Sequence, residues 1–326
     1  MVRRGAYISL SVSTILLAVK FVAYYLTGSQ AILSDALESI VNVTAATLAL
    51  FIVYISTKPA DRDHPYGHGK AEYFSSVFEG ALISFAAIMI FIESIDAIIR
   101  GRPLMRLDTG LVLITGAGIA NALLGFYLIR LGKIHHSVAL ISSGKHVLSD
   151  FYTSGAVIVG LILVRLTGLT WLDPAAALFV GVILAWTGFH IVRDAIHALM
   201  DAEDATLITS LGQHFSAART TGIIRIHHAR VIRSGSYHHI DAHVVVPEYW
   251  DVLTAHDETN RFEAKVIERY GHEGEIHFHI DPCRRVYCHS CDMPRCDVRR
   301  EEFQQVIPFT FAELTSPTEP EELQHK

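Results

Sequence analysis

The sequence predicts an α-helical membrane domain of six transmembrane helices followed by a small α+β domain, and three observations carry that prediction. Residues 1–200 are almost continuously apolar, whereas 201–326 have an ordinary polar composition. The first part holds six stretches long enough to cross about 30 Å of hydrocarbon, a distance that takes about 20 helical residues. Past Met200 the pattern changes to short elements in the order α-β-β-α-β, which suits an open sandwich with helices on one sheet face.

The spans are Ala6–Leu26, Ala31–Thr57, Tyr73–Ile99, Leu107–Leu131, Ser137–Leu166 and Leu172–Met200. An even number puts both termini on one side. The first follows "MVRRG" directly, without a small-residue cleavage site, so it reads as a retained helix rather than a signal peptide. Arg3, Arg4, Lys58, Arg62, Lys70, Arg130, Lys133 and Arg193 fall on the side of the termini, which the positive-inside rule makes cytoplasmic. The loop between the third and fourth spans dissents, with Arg100, Arg102 and Arg106 on the opposite side.

In the C-terminal part, 204–219 and 251–270 suit helices, and "GIIRIHHARVIRSG", "SYHHIDAHVVVP" and "EIHFHIDP" suit strands. Strand alternation sends Ile240, Ala242 and Val244 one way and His239, Asp241 and His243 the other. Likewise Ile276, Phe278 and Ile280 oppose His277, His279 and Asp281. Twelve of the nineteen histidines follow residue 200, an enrichment that points towards metal, although a histidine row also suits a plain solvated face. All four cysteines lie in the last 44 residues, on the side where thiols stay reduced, so no disulfide framework is expected. After Arg284 periodicity fades into a tail that ends Pro- and Glu-rich and reads as partly disordered, giving a division into 1–200, 201–283 and 284–326. Within the tail, Cys288 and Cys291 form a C-x-x-C pair with Cys296 and Cys283 flanking, which suits zinc or another soft metal as well as ordinary reduced thiols.

Ionisable groups inside spans are costly and usually mark a path or site. In "SDALESIVN" of the second span, Asp35, Glu38 and Asn42 form one stripe at i, i+3, i+7, and in "GKHVLSD" of the fifth, His146 and Asp150 share a face at i, i+4. Counting helical rise, Asn42 lies about 16 Å from the start of its span and Asp150 about 20 Å from the opposite start of its own, so the depths overlap near the midplane. Glu38, Asn42, His146 and Asp150 together offer three oxygens and one imidazole nitrogen, a set that suits a tetrahedral divalent transition metal. The bland alternative is that these groups hydrogen-bond helices together. Lys20, Glu79 and Lys145 are further ionisable residues in or near spans, with Lys20 and Glu79 a candidate neutralising pair. Between the second and third spans, "TKPADRDHPYGHGKAE" crowds Asp61, Asp63, His64 and His68 into eight residues, as a metal turn or an ordinary solvated loop would.

"SDALESIVN", "PADRDHPYGHGKAE", "KHVLSD" and the α-β-β-α-β tail together resemble the cation diffusion facilitator family, over nearly the whole chain to about Pro282. The resemblance implies a homodimeric, proton-coupled exporter of Zn²⁺ or a related divalent metal, with a transport site between the second and fifth helices and a ferredoxin-like cytoplasmic domain. By position it implies a transport site at Glu38, Asn42, His146 and Asp150, a loop site at Asp61, His64 and His68, and a cytoplasmic site at His227, His243, His256, His279 and Asp281. The last requires a one-residue insertion before His279. The sequence departs from the family's common zinc pattern, which has His or Asp where Glu38 stands and Asp where Asn42 stands; the cysteine tail has no counterpart in it.

The chain carries no G-x-x-x-x-G-K-[ST] loop, so an ion gradient is the expected energy source, and no H-E-x-x-H motif, which argues against a membrane metalloprotease. A net charge of −6 gives no reason to expect nucleic acid. The expectation is therefore a non-enzymatic exporter in the cell inner (plasma) membrane that moves Zn²⁺ as substrate and also binds it structurally. Export of Mn²⁺, Fe²⁺, Co²⁺, Ni²⁺ or Cd²⁺, or a membrane metal sensor that transports nothing, are the alternatives.

Overall fold

A computed structural model of the protein describes residues 2–317 apart from 57, 102–103, 135–137 and 236. The side chains of 2–7, 45, 46, 49, 50, 53, 132, 138–143, 145, 146 and 149 also lie outside the description. The chain forms two compact bodies, one comprising 1–54 and 72–196, the other 55–71 and 197–326.

The first body is made of six long helices: α1 (Val2–Thr27), α2 (Gln30–Ser56), α3 (Ala71–Arg100), α4 (Leu107–Ile134), α5 (Val138–Thr167) and α6 (Leu172–Leu199). Its faces are reversed relative to a soluble bundle. On α3 the buried side is made largely of small residues, including Gly80, Ala86, Ala87, Ser94 and Ala97, while Phe78, Phe85, Ile88, Ile92 and Ile95 point outwards. Small residues let helices approach closely where lipid removes any hydrophobic drive between them, and large apolar side chains facing out suit acyl chains. Among the described residues, α1, α3, α4, α5 and α6 each contain a stretch long and apolar enough to span a bilayer. At the start of α2, Asp173 of α6 accepts from Ser29 Oγ and from the Gln30 backbone N–H at 2.7 Å, which caps that helix from a neighbour.

In the second body, α7 (Ala205–Ala218) and α8 (Val252–Tyr270) pack on one face of a three-stranded sheet of order β1-β2-β3. β1 (Arg225–Ser234) and β2 (Tyr237–Val246) pair antiparallel, and α8 carries the chain over to β3 (Glu273–Pro282), which pairs parallel with β2. Asp204 and Asp251 cap the two helices by accepting from backbone N–H groups, and Gly271 closes α8 at φ 77°. Ile208, Leu211 and Phe215 of α7, Phe262 and Val266 of α8, and Ile226, Ile240, Ala242, Val244 and Ile276 of the sheet form the core. The expected alternation thus puts these strand residues inside, while Ile280, expected inward, is exposed at the end of β3. A bulge interrupts β1 between His227 and Arg230, with His228 at φ 52°. The extra residue brings Ala229 back into the core.

The segment after Pro282 folds back on this domain. A 3-10 helix (Arg285–Ser290) lays Tyr287 and Cys291 over Ile224 and Val245, and Phe309 and Leu314, the latter from α9 (Phe311–Leu314), enter the main core. Glu313 forms an ion pair with Arg225. The Pro- and Glu-rich end from 318 onward lies outside the described residues.

His238 belongs to this packing rather than to a site. It is buried, shares a hydrogen bond with the Tyr270 hydroxyl at 2.8 Å and stacks on His272 at 4.6 Å. Burial pushes its pKa down to about 4, with His272 and Arg233 adding to the shift. Because the unfolded chain then binds the proton that the folded one refuses, His238 contributes stability above about pH 6.5 that is lost as the pH falls towards 4, at most about 3 kcal/mol. Melting of the full chain in detergent from pH 7.5 to 4.5 should show this loss, and His238→Gln should flatten the slope. An equal slope in the variant would rule the contribution out.

Candidate metal sites

Within the membrane-spanning body, the second and fifth helices meet through the residues that the stripes single out. The Asn42 amide of α2 donates to Asp150 Oδ2 of α5 at 2.6 Å, with Asp150 buried. Glu38, one turn before Asn42, is half-buried, and one of its carboxylate oxygens is buried with no hydrogen-bond partner among the described residues. A buried carboxylate oxygen left unpaired in hydrocarbon costs several kcal/mol, about what a cation or proton would recover. His146 lies on α5, but its side chain, like that of Lys145, is outside the description.

Lys20 does not pair with Glu79. Its ammonium lies 3.0 Å from Asp35 Oδ1 and donates to Ser39 Oγ at 2.9 Å, and Ser154 Oγ of α5 donates to the same Asp35 oxygen at 2.6 Å. The pairing follows from helix rotation, which buries the α1 lysine against α2 and leaves Glu79 half-buried on α3.

The 55–71 segment belongs to the second body and folds into a turn around Asp61. Asp61 Oδ1 accepts from the backbone N–H groups of Asp63 (3.0 Å) and His64 (2.7 Å), and those bonds hold its carboxyl below the usual range. His64 Nδ1 and His68 Nε2 lie 3.2 and 3.4 Å from the two Asp61 oxygens, and ligand atoms of all three converge within 4.8 Å. His68 is largely buried and its Nδ1 has no partner among the described residues. One carboxylate and two imidazoles are a donor set that zinc accepts. Asp63, from the same cluster, is not part of the convergence.

This turn rests on the sheet. The Gly69 backbone lies so close to the β1–β2 turn that a Cβ would sit 2.1 Å from the Ser234 carbonyl oxygen, so only glycine fits there. Lys70 pairs with Asp201 at 2.8 Å, and Tyr66 meets the His239 ring edge-on at 4.9 Å. His239, expected on the wet face, is therefore buried, with Nδ1 bonded to Glu275 at 2.7 Å.

On the outer sheet face, register sets His227 against His243 and His243 against His279. Asp281 is the hub, at 3.0 Å from His243 Nδ1, 3.6 Å from His227 Nε2 and 3.5 Å from His279 Nε2. Ligand atoms of His227, His243 and Asp281 converge within 4.8 Å. Burial lowers the His227 pKa, with neighbouring imidazoles opposing the pull of Asp281, a shift towards the neutral ring that a metal ligand needs. His279 joins through ring contact with His243 at 4.6 Å but is exposed, and His256 stands on α8 bonded to Asn260, outside the converging set. Sequence reasoning missed His228, which the β1 bulge turns towards His243 at 5.0 Å; a bulge leaves no alternation signal. It also missed Ser154, one turn beyond Asp150, whose i+4 spacing was the available clue.

Cys288 and Cys291 are buried, and Cys283 and Cys296 are half-buried. Arg299 donates to the carbonyls of Cys288, Cys291 and Met293, so the segment wraps around its guanidinium. Among the described residues Cys288, Cys291 and Cys296 form no converging group of three ligand atoms, and burial pushes the Cys283 and Cys291 thiols up.

Long apolar helices with buried carboxylates where α2 meets α5, joined to a domain that gathers imidazoles and a carboxylate, define a multi-pass integral membrane protein built to handle cations. Residues 6–200 match the family model of the cation efflux transmembrane domain, and 215–283 match that of the cation efflux protein cytoplasmic domain. The chain belongs to the cation diffusion facilitator family of cation-efflux transporters. It is 36% identical over 281 residues to an uncharacterized transporter, sll1263, of Synechocystis, covering 86% of this chain and 90% of that one. It is also 28% identical to the cation-efflux pump FieF of Cronobacter sakazakii, over 88% and 94% of the two chains. With the manganese efflux system protein MneS of Bacillus subtilis it shares 26% identity over 85% and 94%.

Proposed function

We propose that this protein is a homodimeric antiporter that exports a divalent transition metal, Zn²⁺ first, across the plasma membrane in exchange for protons, with both termini cytoplasmic. Glu38, Asn42, His146 and Asp150 form the transport site. The observation that carries the reading is the Asn42–Asp150 hydrogen bond, which ties the polar stripes of α2 and α5 together at a buried level beside an unpartnered Glu38 oxygen. Metal ligands must shed protons to bind, so carboxylates and an imidazole in this setting link metal entry to proton release. Asp61, His64 and His68 bind a second ion in the loop, and His227, His243 and Asp281, with His279 and His256 beside them, bind further metal on the cytoplasmic sheet.

Manganese is the second reading, because Asn42 supplies a neutral oxygen where the zinc-type pattern has a carboxylate, and because one relative is named for manganese efflux. Zinc stays first because it binds most nitrogen and oxygen sites more tightly than Mn²⁺. Flux of Zn²⁺, Mn²⁺, Fe²⁺, Co²⁺, Ni²⁺ and Cd²⁺ into proteoliposomes, with and without an imposed proton gradient, tests the proposal. Zn²⁺ should move fastest and depend on the gradient. Absence of flux for every ion would leave a non-transporting sensor, and gradient-independent flux would remove the antiport.

A further inference from the structure

We propose that Lys20 is a resident cation of the membrane body that withholds Asp35 from metal and so fixes the neighbouring transport site at two negative charges, matched to a divalent ion. The inference rests on the transport-site reading above and adds a residue that sets its specificity.

Lys20 is 1% exposed, and so is Asp35. Their ion pair joins α1 to α2, and the Ser154 hydroxyl ties it to α5. The pair sits one turn from the transport site along two helices at once. Asp35 precedes Glu38 by three residues on α2, and Ser154 follows Asp150 by four on α5. A lysine buried among helices has no water to turn to, so a partner carboxylate and hydroxyl are what make its burial tolerable.

The consequence is a charge count. Asp35, Glu38 and Asp150 carry three formal negatives and Lys20 one positive, leaving two negatives that a divalent ion brings to zero. Without Lys20, Asp35 becomes a third free carboxylate next to Glu38, able to ligate the ion and to hold it after transport. Without Asp35, Lys20 becomes an unpaired positive charge that repels the ion. The two single changes therefore act in opposite directions, and removing both restores the balance. A pair that merely pins helices together predicts loss in both single variants.

The test is Zn²⁺ uptake by the full chain in proteoliposomes at saturating proton gradient, read as KM and turnover. Lys20→Gln should lower KM about tenfold and slow turnover, Asp35→Asn should raise KM about tenfold, and the double variant should return to within about threefold of the parent. Shifts of both single variants in the same direction, or a double variant that fails to return, overturn the proposal. If a single variant does not fold, Lys20→Arg and the double variant decide, since both should keep KM within about threefold, and a larger shift in either overturns it. Asp150→Ala runs alongside. Its retention of transport would remove the transport-site reading itself, a result independent of the sign of the Lys20 and Asp35 shifts.

Discussion

Asp150→Ala is expected to abolish metal flux, by at least about a hundredfold, while the chain still folds and dimerises. Asp150 provides a buried carboxylate at the place where α2 meets α5, and its Oδ2 accepts the Asn42 amide at 2.6 Å. Removing it takes away a buried negative charge and leaves the amide without that acceptor, so the proposed site would lose both a ligand and the group that orients another. The fold should survive, because α2 and α5 are also held by the Ser154–Asp35 hydrogen bond and by Val157 and Leu161 in the apolar core. Flux into proteoliposomes, with size-exclusion chromatography as the folding control, decides. Wild-type flux from a folded variant would discard Asp150 as a ligand.

The second large effect belongs to the sheet. Adding Zn²⁺ at a hundred times its dissociation constant should stabilise the C-terminal domain by up to about 2.7 kcal/mol, since a metal that prefers the folded arrangement to the unfolded chain shifts the equilibrium by mass action. For a domain of this size that is a rise of roughly 10 °C or more in melting temperature. His243→Ala with Asp281→Ala should remove most of it. Asp281 is the shared partner of His227, His243 and His279, so its loss unties all three imidazoles at once. The readout is the zinc-dependent shift of the full chain in detergent. A shift of unchanged size in the double variant would exclude the sheet site as its source.

Much of this was legible because periodicity survives in the sequence. Six apolar runs, the strand alternation and the i, i+3, i+7 stripe on α2 each depend only on neighbours along one element, and the Asn42–Asp150 contact follows once two stripes of matching depth are set face to face. What depends on rotation between elements was not legible. Lys20 had Glu79 as its candidate partner until α1 was placed against α2, where Lys20 meets Asp35 instead. His239 looked solvated until Tyr66, more than 170 residues earlier, was brought over it. His228 and the β1 bulge break the two-residue period, so a reading that relies on that period passes over them.

The family's cytoplasmic-domain model stops at residue 283, yet Phe309 and Leu314 are part of the core. An extension beyond the matched domain thus forms one wall of that core. Gly212 on α7 lies against it, since a Cβ there would lie 2.8 Å from Leu314 Cδ1. An alanine at 212 would ask the Leu314 side chain, about a hundred residues downstream, to give way, so this helix and the extension packed on it are shaped to each other.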